Sequence, residues 1–141
     1  MIEPQNHTAP FSCTYSSHVA ELLLKLNCTL AISTYQAGKL IFISPKDENS
    51  LVQLPRTFDK PMGIALNEER GQLGLACKTT VELFQNSKEL ALHYPKGPGK
   101  YDALFMPRVS YNTGGIDIHD LRFGDNGEIY GVNTLFSCLR P

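Results

Sequence analysis

From Ser16 onward the chain alternates short apolar runs with polar, glycine-bearing breaks, and one stretch alone has helical spacing. Val19, Leu22, Leu23 and Leu26 recur at i, i+3, i+4 and i+7, which lays them along one helix face. Ser16 and Ser17 stand just before them and offer side-chain oxygens to the free N–H groups of a first turn. Glu21 near the start and Lys25 near the end suit the helix dipole and are spaced as a favourable pair. The spacing predicts a helix over residues 17–26, the one helix of the chain.

The remainder reads as strands. Residues 29–34 are apolar and β-branched, Tyr35-Gln36-Ala37-Gly38 is a turn in which Gly38 takes positive φ, and residues 39–44 return. Further strands are expected at residues 51–54, 62–66, 73–77, 81–84, 90–94, 116–123, 129–134 and 136–139. Gly124-Asp125-Asn126-Gly127 is a hairpin signal, and residues 95–100 form a Pro/Gly loop. Thr34, Thr79 and Thr134 each end a strand that leads through a turn into another apolar strand. Four strands per unit at roughly 40 to 50 residues is the size of a propeller blade. The expectation is an all-β chain: a partial β-propeller-like array of antiparallel blades with one short N-terminal helix. An ordinary β-sandwich is the alternative.

Composition narrows the partners. Hydrophobic residues make up 42% and charged residues 19%, a globular balance. The net charge of -1, with Lys and Arg scattered, offers no basic surface for nucleic acid or for an anionic membrane. No targeting segment is visible and the longest apolar runs are far too short to span a bilayer, so a cytoplasmic protein is expected. Cys13, Cys28, Cys77 and Cys138 are widely spaced, which argues against zinc and points to buried free thiols.

Several segments together resemble a family of uncharacterised bacterial proteins. They are Phe11-Ser12-Cys13-Thr14-Tyr15-Ser16-Ser17, Ser33-Thr34-Tyr35-Gln36-Ala37-Gly38-Lys39-Leu40, Phe58-Asp59-Lys60-Pro61-Met62-Gly63, Met106-Pro107-Arg108, Gly115-Ile116-Asp117-Ile118-His119-Asp120-Leu121 and Asn133-Thr134-Leu135-Phe136-Ser137-Cys138-Leu139. The resemblance implies a propeller-like fold and no particular activity. It also implies that this chain matches the N-terminal part of a longer domain. Residues 1–10 are then expected to be a flexible tail, and residues 11–141 an incomplete array that is not stable as a closed domain.

Seven residues are candidates for chemistry. Asp117 and His119 stand two apart in an expected strand, so their side chains share a face, with Asp120 on the other. Such a pair can hold a metal or act as acid and base; it can equally satisfy backbone groups between strands, and that structural reading comes first. His93 is a conceivable further donor. Arg108, expected in a loop after Pro107, can clamp an anion or pair with Asp102 or Asp117. Asn133 stands at a strand end where its amide could face a channel, and Tyr35 and Gln36 occupy a polar turn. Lys96-Gly97-Pro98-Gly99-Lys100 lacks the spacing of a phosphate loop and no helix is expected after it. The sequence identifies no cofactor. It favours a binding or scaffold module for a small molecule or protein, with a metal-assisted enzyme using Asp117 and His119 as the alternative.

Overall fold

The computed structural model describes residues 12–141; the tail expected over residues 1–10, and Phe11, lie outside the described residues. The elements are α1 (His18–Leu26), β1 (Leu30–Thr34), β2 (Lys39–Pro45), β3 (Leu51–Thr57), β4 (Ile64–Asn67), β5 (Gln72–Ala76), β6 (Thr80–Asn86), α2 (Lys88–Leu92), β7 (Phe105–Asn112), β8 (Ile118–Phe123), β9 (Ile129–Asn133) and β10 (Cys138–Arg140). The strands form three sheets, ordered β1-β2-β3, β4-β5-β6-β7 and β8-β9-β10. Pairing is antiparallel throughout the second and third sheets, so each is a meander of neighbours in sequence. The class is all-β, as the apolar pattern predicts, but the described residues hold two short helices where one was expected.

The first helix forms where its periodicity puts it, with different ends and a different face. The Ser17 backbone is already helical and its hydroxyl caps nothing. At the other end Asn27 turns left-handed (φ 48°), and the N–H groups of Asn27 and Cys28 return to the carbonyls of Leu24 and Leu23, each at 3.1 Å. This is a Schellman stop, with Asn in place of the commoner Gly. Glu21 and Lys25 do pair, in solvent. Ala20 and Leu23 are buried, whereas Leu22 and Leu26 of the expected stripe are exposed. The covered face is therefore an i, i+3 pair, narrower than the apolar spacing alone implies.

The chain divides into two compact units. One holds the residues up to Leu30 with Ile41–Pro55. Within it Ala20, Leu23 and Ile41 are buried. Its β2–β3 turn is tied by Asp47, whose carboxylate accepts the Asn49 N–H at 2.9 Å and the Ser50 hydroxyl at 2.7 Å. Those two bonds hold the Asp47 carboxyl below its ordinary range.

The other unit, Ala31–Leu40 with Arg56–Pro141, carries a core formed between the second and third sheets. Ala65, Ala76, Val81, Ile118 and Leu121 cluster there, with Ile116, Phe123 and Ile129 against them. β5 lies inside its sheet and is buried from Leu73 to Ala76, which explains why it reads as a continuous apolar run. A close backbone-to-backbone approach is at Gly63, just ahead of β4. A Cβ there would stand 2.6 Å from Asp120 Cα and 2.9 Å from the Leu121 nitrogen. These are backbone atoms, so nothing flexible can yield.

Three expectations are corrected here. Residues 90–94 are not a strand: α2 spans Lys88–Leu92, with the Ala91 N–H on the Ser87 carbonyl at 3.0 Å. Leu90 and Leu92 are exposed. The run Lys-Glu-Leu-Ala-Leu is made of good helix formers, and with no strand to pair with it takes local bonds. Arg108 is not in a loop but in β7, where Val109 pairs Leu83 and Pro107 pairs Phe84, leaving Arg108 as the extra residue of a bulge. An edge strand tolerates Pro107, which lacks the N–H an inner strand needs. The Asp/His strand begins at Ile118, and His119 is likewise skipped between Ile118, opposite Asn133, and Asp120, opposite Val132. This second bulge puts Ile118 and Leu121, three apart, into one core.

Gly63→Ala is expected to lower unfolding stability in urea by about 1–3 kcal/mol or more, the range for an overpacked contact with no yielding partner. Gly114→Ala tests the contrast: nothing lies within 4 Å of its Cβ position, so its cost comes from the backbone angle alone.

Candidate functional site

In an antiparallel meander the β5–β6 turn, the end of β7 and the start of β8 fall at one end of the strands. Backbone hydrogen bonds tie the connections at that end into a string. Phe58 N–H donates to the Gly38 carbonyl at 3.0 Å, Lys78 N–H to Asp59 at 2.9 Å and Thr113 N–H to Thr79 at 2.9 Å. Thr134 donates both its N–H (3.1 Å) and its hydroxyl (2.9 Å) to the Asp117 carbonyl. Ser33 adds a hydroxyl bond to the Met62 carbonyl. The hairpin turns at residues 35–38, 78–79 and 134–137 are thereby linked to the sheet-to-sheet connections at residues 58–63 and 113–117.

This end also carries most of the backbone strain. Lys60 (φ 46°), Asp117 (φ 49°) and Ser137 (φ 51°) are left-handed without being glycine; among the described residues the remaining case, Asn27, ends α1. Each such residue costs about 1–2 kcal/mol, and a conformation of that kind persists where its surroundings over-determine it, commonly at functional sites. Phe58, packed edge-on against Phe84 at 5.8 Å between ring centroids, anchors its connection to the sheet beneath. The Lys60 ammonium stands 5.2 Å from the centre of the Tyr35 ring, and Lys39 Nζ donates to Thr57 Oγ1 at 2.6 Å.

The candidate residues separate on this frame. Tyr35 and Gln36 are exposed on the first turn. Asp117 lies before β8, not in it, and its left-handed backbone together with the bulge at His119 removes the alternation that was expected to put the two side chains on one face. Asp117, His119 and Asp120 are exposed, and Asp120 Oδ1 accepts the Leu121 N–H at 2.9 Å. Arg108 is exposed on β7, and among the described residues neither Asp102 nor Asp117 forms an ion pair with it. Asn133 is 5% exposed, and its Oδ1 accepts the Phe136 N–H at 3.1 Å, so it shapes the β9–β10 turn. His93 ends α2, with its ring Nδ1 2.9 Å from the Glu89 carbonyl. Among the described residues no three His, Cys, Asp or Glu side chains gather as a metal site.

Sequence reasoning singled out Lys39 only as the last residue of the polar turn that starts at Tyr35, and it did not single out Lys60. No local signal marks Lys60, because a residue before proline is ordinarily driven to extended backbone. The cysteines also differ from expectation. All four are free, but Cys77 alone is buried, and Cys13, Cys28 and Cys138 are half-buried. Burial pushes the Cys77 thiol up to about 11, with the Glu82 carboxylate and then Asp59 adding to the effect and a bond to Thr80 opposing it.

At the other end of the same strands a polar groove of about 280 Å³ runs between the β4–β5 and β8–β9 turns, lined by Glu68, Glu69, Arg70 and Asp125 among others. Beside it Glu128 accepts bonds from Asn126 and Tyr130, which hold its carboxyl below the usual range. Among the described residues no helix is long and apolar enough to cross a membrane.

Antiparallel sheets whose connections converge on one strained, polar end define an all-β protein with a loop-built surface. Residues 17–141 match the family described as "Domain of unknown function (DUF4915)", and the chain belongs to that family. No curated protein matches the chain.

Asn133→Ala is expected to cost about 1–2 kcal/mol in equilibrium unfolding, because the buried Asn133 side chain and its part-buried bond from the Phe136 N–H are lost. The Cys77 thiol should be unreactive to an aromatic disulfide reagent at pH 8 until the protein unfolds, since its thiolate fraction there is on the order of 0.1%. Its raised value also has a stability consequence. An unfolded thiol ionises near 8.5 and the folded one near 11, so stability should fall between those values as pH rises. Cys77→Ala should remove that part of the slope, at most about 1.4 kcal/mol per pH unit.

Proposed function

We propose that this chain is a binding module in a propeller-like β array, and that it takes its ligand on the end where residues 35–38, 58–63, 78–79, 113–117 and 134–137 converge. The array is supported by the four-stranded meander β4-β5-β6-β7, which has the strand order of a blade. A similar contact supports it too: the carbonyls of Asp59 and Asp117 each accept an N–H from the turn that follows a strand, Lys78 two residues beyond β5 and Thr134 directly after β9. The observation that carries the binding reading is the strain. Three non-glycine residues are held left-handed on one string of bonded connections, with Tyr35, Gln36 and Phe136 exposed beside them. The metal-assisted alternative rests on Asp117 and His119 without a third ligand among the described residues.

A thermal-shift screen of small metabolites, followed by amide NMR mapping of each hit, tests this reading. A hit at 100 times its dissociation constant adds about 2.7 kcal/mol of stability. The expected hits shift the amides of Gln36, Gly38, Lys60, Thr79 and Thr134, and their stabilisation is lost in Tyr35→Ala. Hits that map to the Glu68–Asp125 groove, or that stabilise Tyr35→Ala equally, overturn the proposal.

A further inference from the structure

The strained connection at Lys60 carries a charge with no ion-pair partner among the described residues. Lys60 and Lys39 belong to the two segments joined by the Phe58–Gly38 hydrogen bond. Among the described residues neither ammonium has a carboxylate within salt-bridge reach, although Asp59 is adjacent in sequence. The ammonium groups instead meet neutral partners: the Tyr35 ring for Lys60 and the Thr57 hydroxyl for Lys39. Both lysines are half-buried, and a lysine so placed commonly covers its stem and leaves its head to solvent. Lys78 follows on the turn bonded to Asp59. Gly38, left-handed and with its Cβ position 3.0 Å from the Phe58 carbonyl, keeps the two segments close and free of a side chain between them.

A lysine is also a poor choice for this backbone if only the fold matters. Glycine or asparagine adopts φ 46° at lower cost, yet a lysine stands here with its head over an aromatic ring. Resting on the binding reading above, we infer that Lys60 and Lys39, with Tyr35 beside them, bind an oxyanion group, a phosphate or a carboxylate, carried on a small molecule. Charge-assisted bonds from the two ammonium groups hold the anion, and the Tyr35 ring offers a face to the body that carries it.

Amide NMR titration of the full chain with phenyl phosphate and, separately, with benzoate tests the inference, with ionic strength held constant by sodium chloride. One probe or both should give saturable shifts at Gln36, Gly38, Lys39 and Lys60, and the stronger of the two identifies the anion. Lys60→Asn removes the charge yet suits the left-handed backbone, so its melting temperature should stay level or rise. Its affinity for the probe should fall about tenfold, and Lys39→Gln should act in the same direction. Lys25→Gln, on the exposed face of α1, should change nothing. Shifts that never saturate with either probe, or that persist unchanged in Lys60→Asn, overturn the oxyanion assignment. If an uncharged hit nonetheless maps to the same end, the binding reading stands without it; if every hit maps elsewhere, the binding reading itself falls.

Discussion

The packing of the second sheet on the third depends on the bare backbone of Gly63 meeting the bare backbone of Asp120. Interior packing tolerates little slack, and here the two chains approach more closely than any Cβ would allow. That approach places small residues, Ala65 and Ala76, beside Ile118 and Leu121 in the core. Larger residues at those positions would require the sheets to separate. The contact also fixes the connections, because Gly63 and Met62 exchange hydrogen bonds with Ala76 at the end of β5.

With the sheets pinned at that point, the segments leading into β4 and β8 have little freedom. Lys60 and Asp117 stand a few residues ahead of the contact and absorb the change of direction in left-handed backbone. The cost is held by the bonds those segments make to neighbouring turns, the Phe58 N–H donating to the Gly38 carbonyl and the Thr134 N–H to the Asp117 carbonyl. Packing, strain and the polar end are thus one arrangement: a rigid scaffold presenting exposed side chains on short, over-determined connections. The opposite end, where the Asn67–Gly71 and Gly124–Glu128 turns close ordinary hairpins with Gly71 and Gly127 left-handed, carries no such strain.

Much of this was legible along the chain. The periodicity of Val19 to Leu26 located α1, Gly38 and Gly127 marked turns that do take positive φ, and alternating apolar runs placed most strands. Local chemistry determines such features: where the chain can turn, and which runs are apolar enough to be covered. The candidate site was legible only in part. Tyr35 and Gln36 were found because a polar turn between apolar strands is conspicuous, whereas the pairing of Asp117 with His119 assumed an unbroken alternation.

Bulges are what that assumption cannot see. Whether His119 and Arg108 are paired or skipped depends on the partner strand and on which residues must reach the core, Ile118 together with Leu121 in one case. The same holds for Asn133, whose amide reads as a candidate in sequence and is spent on the Phe136 N–H in the fold. The sequence by itself determined the all-β class, the single amphipathic helix at the start and the positions of the turns, because those follow from local backbone preference and apolar spacing. Only the tertiary structure decided which side chains share a face and that Lys60 meets Tyr35, because those depend on the register and close approach of segments far apart in the chain.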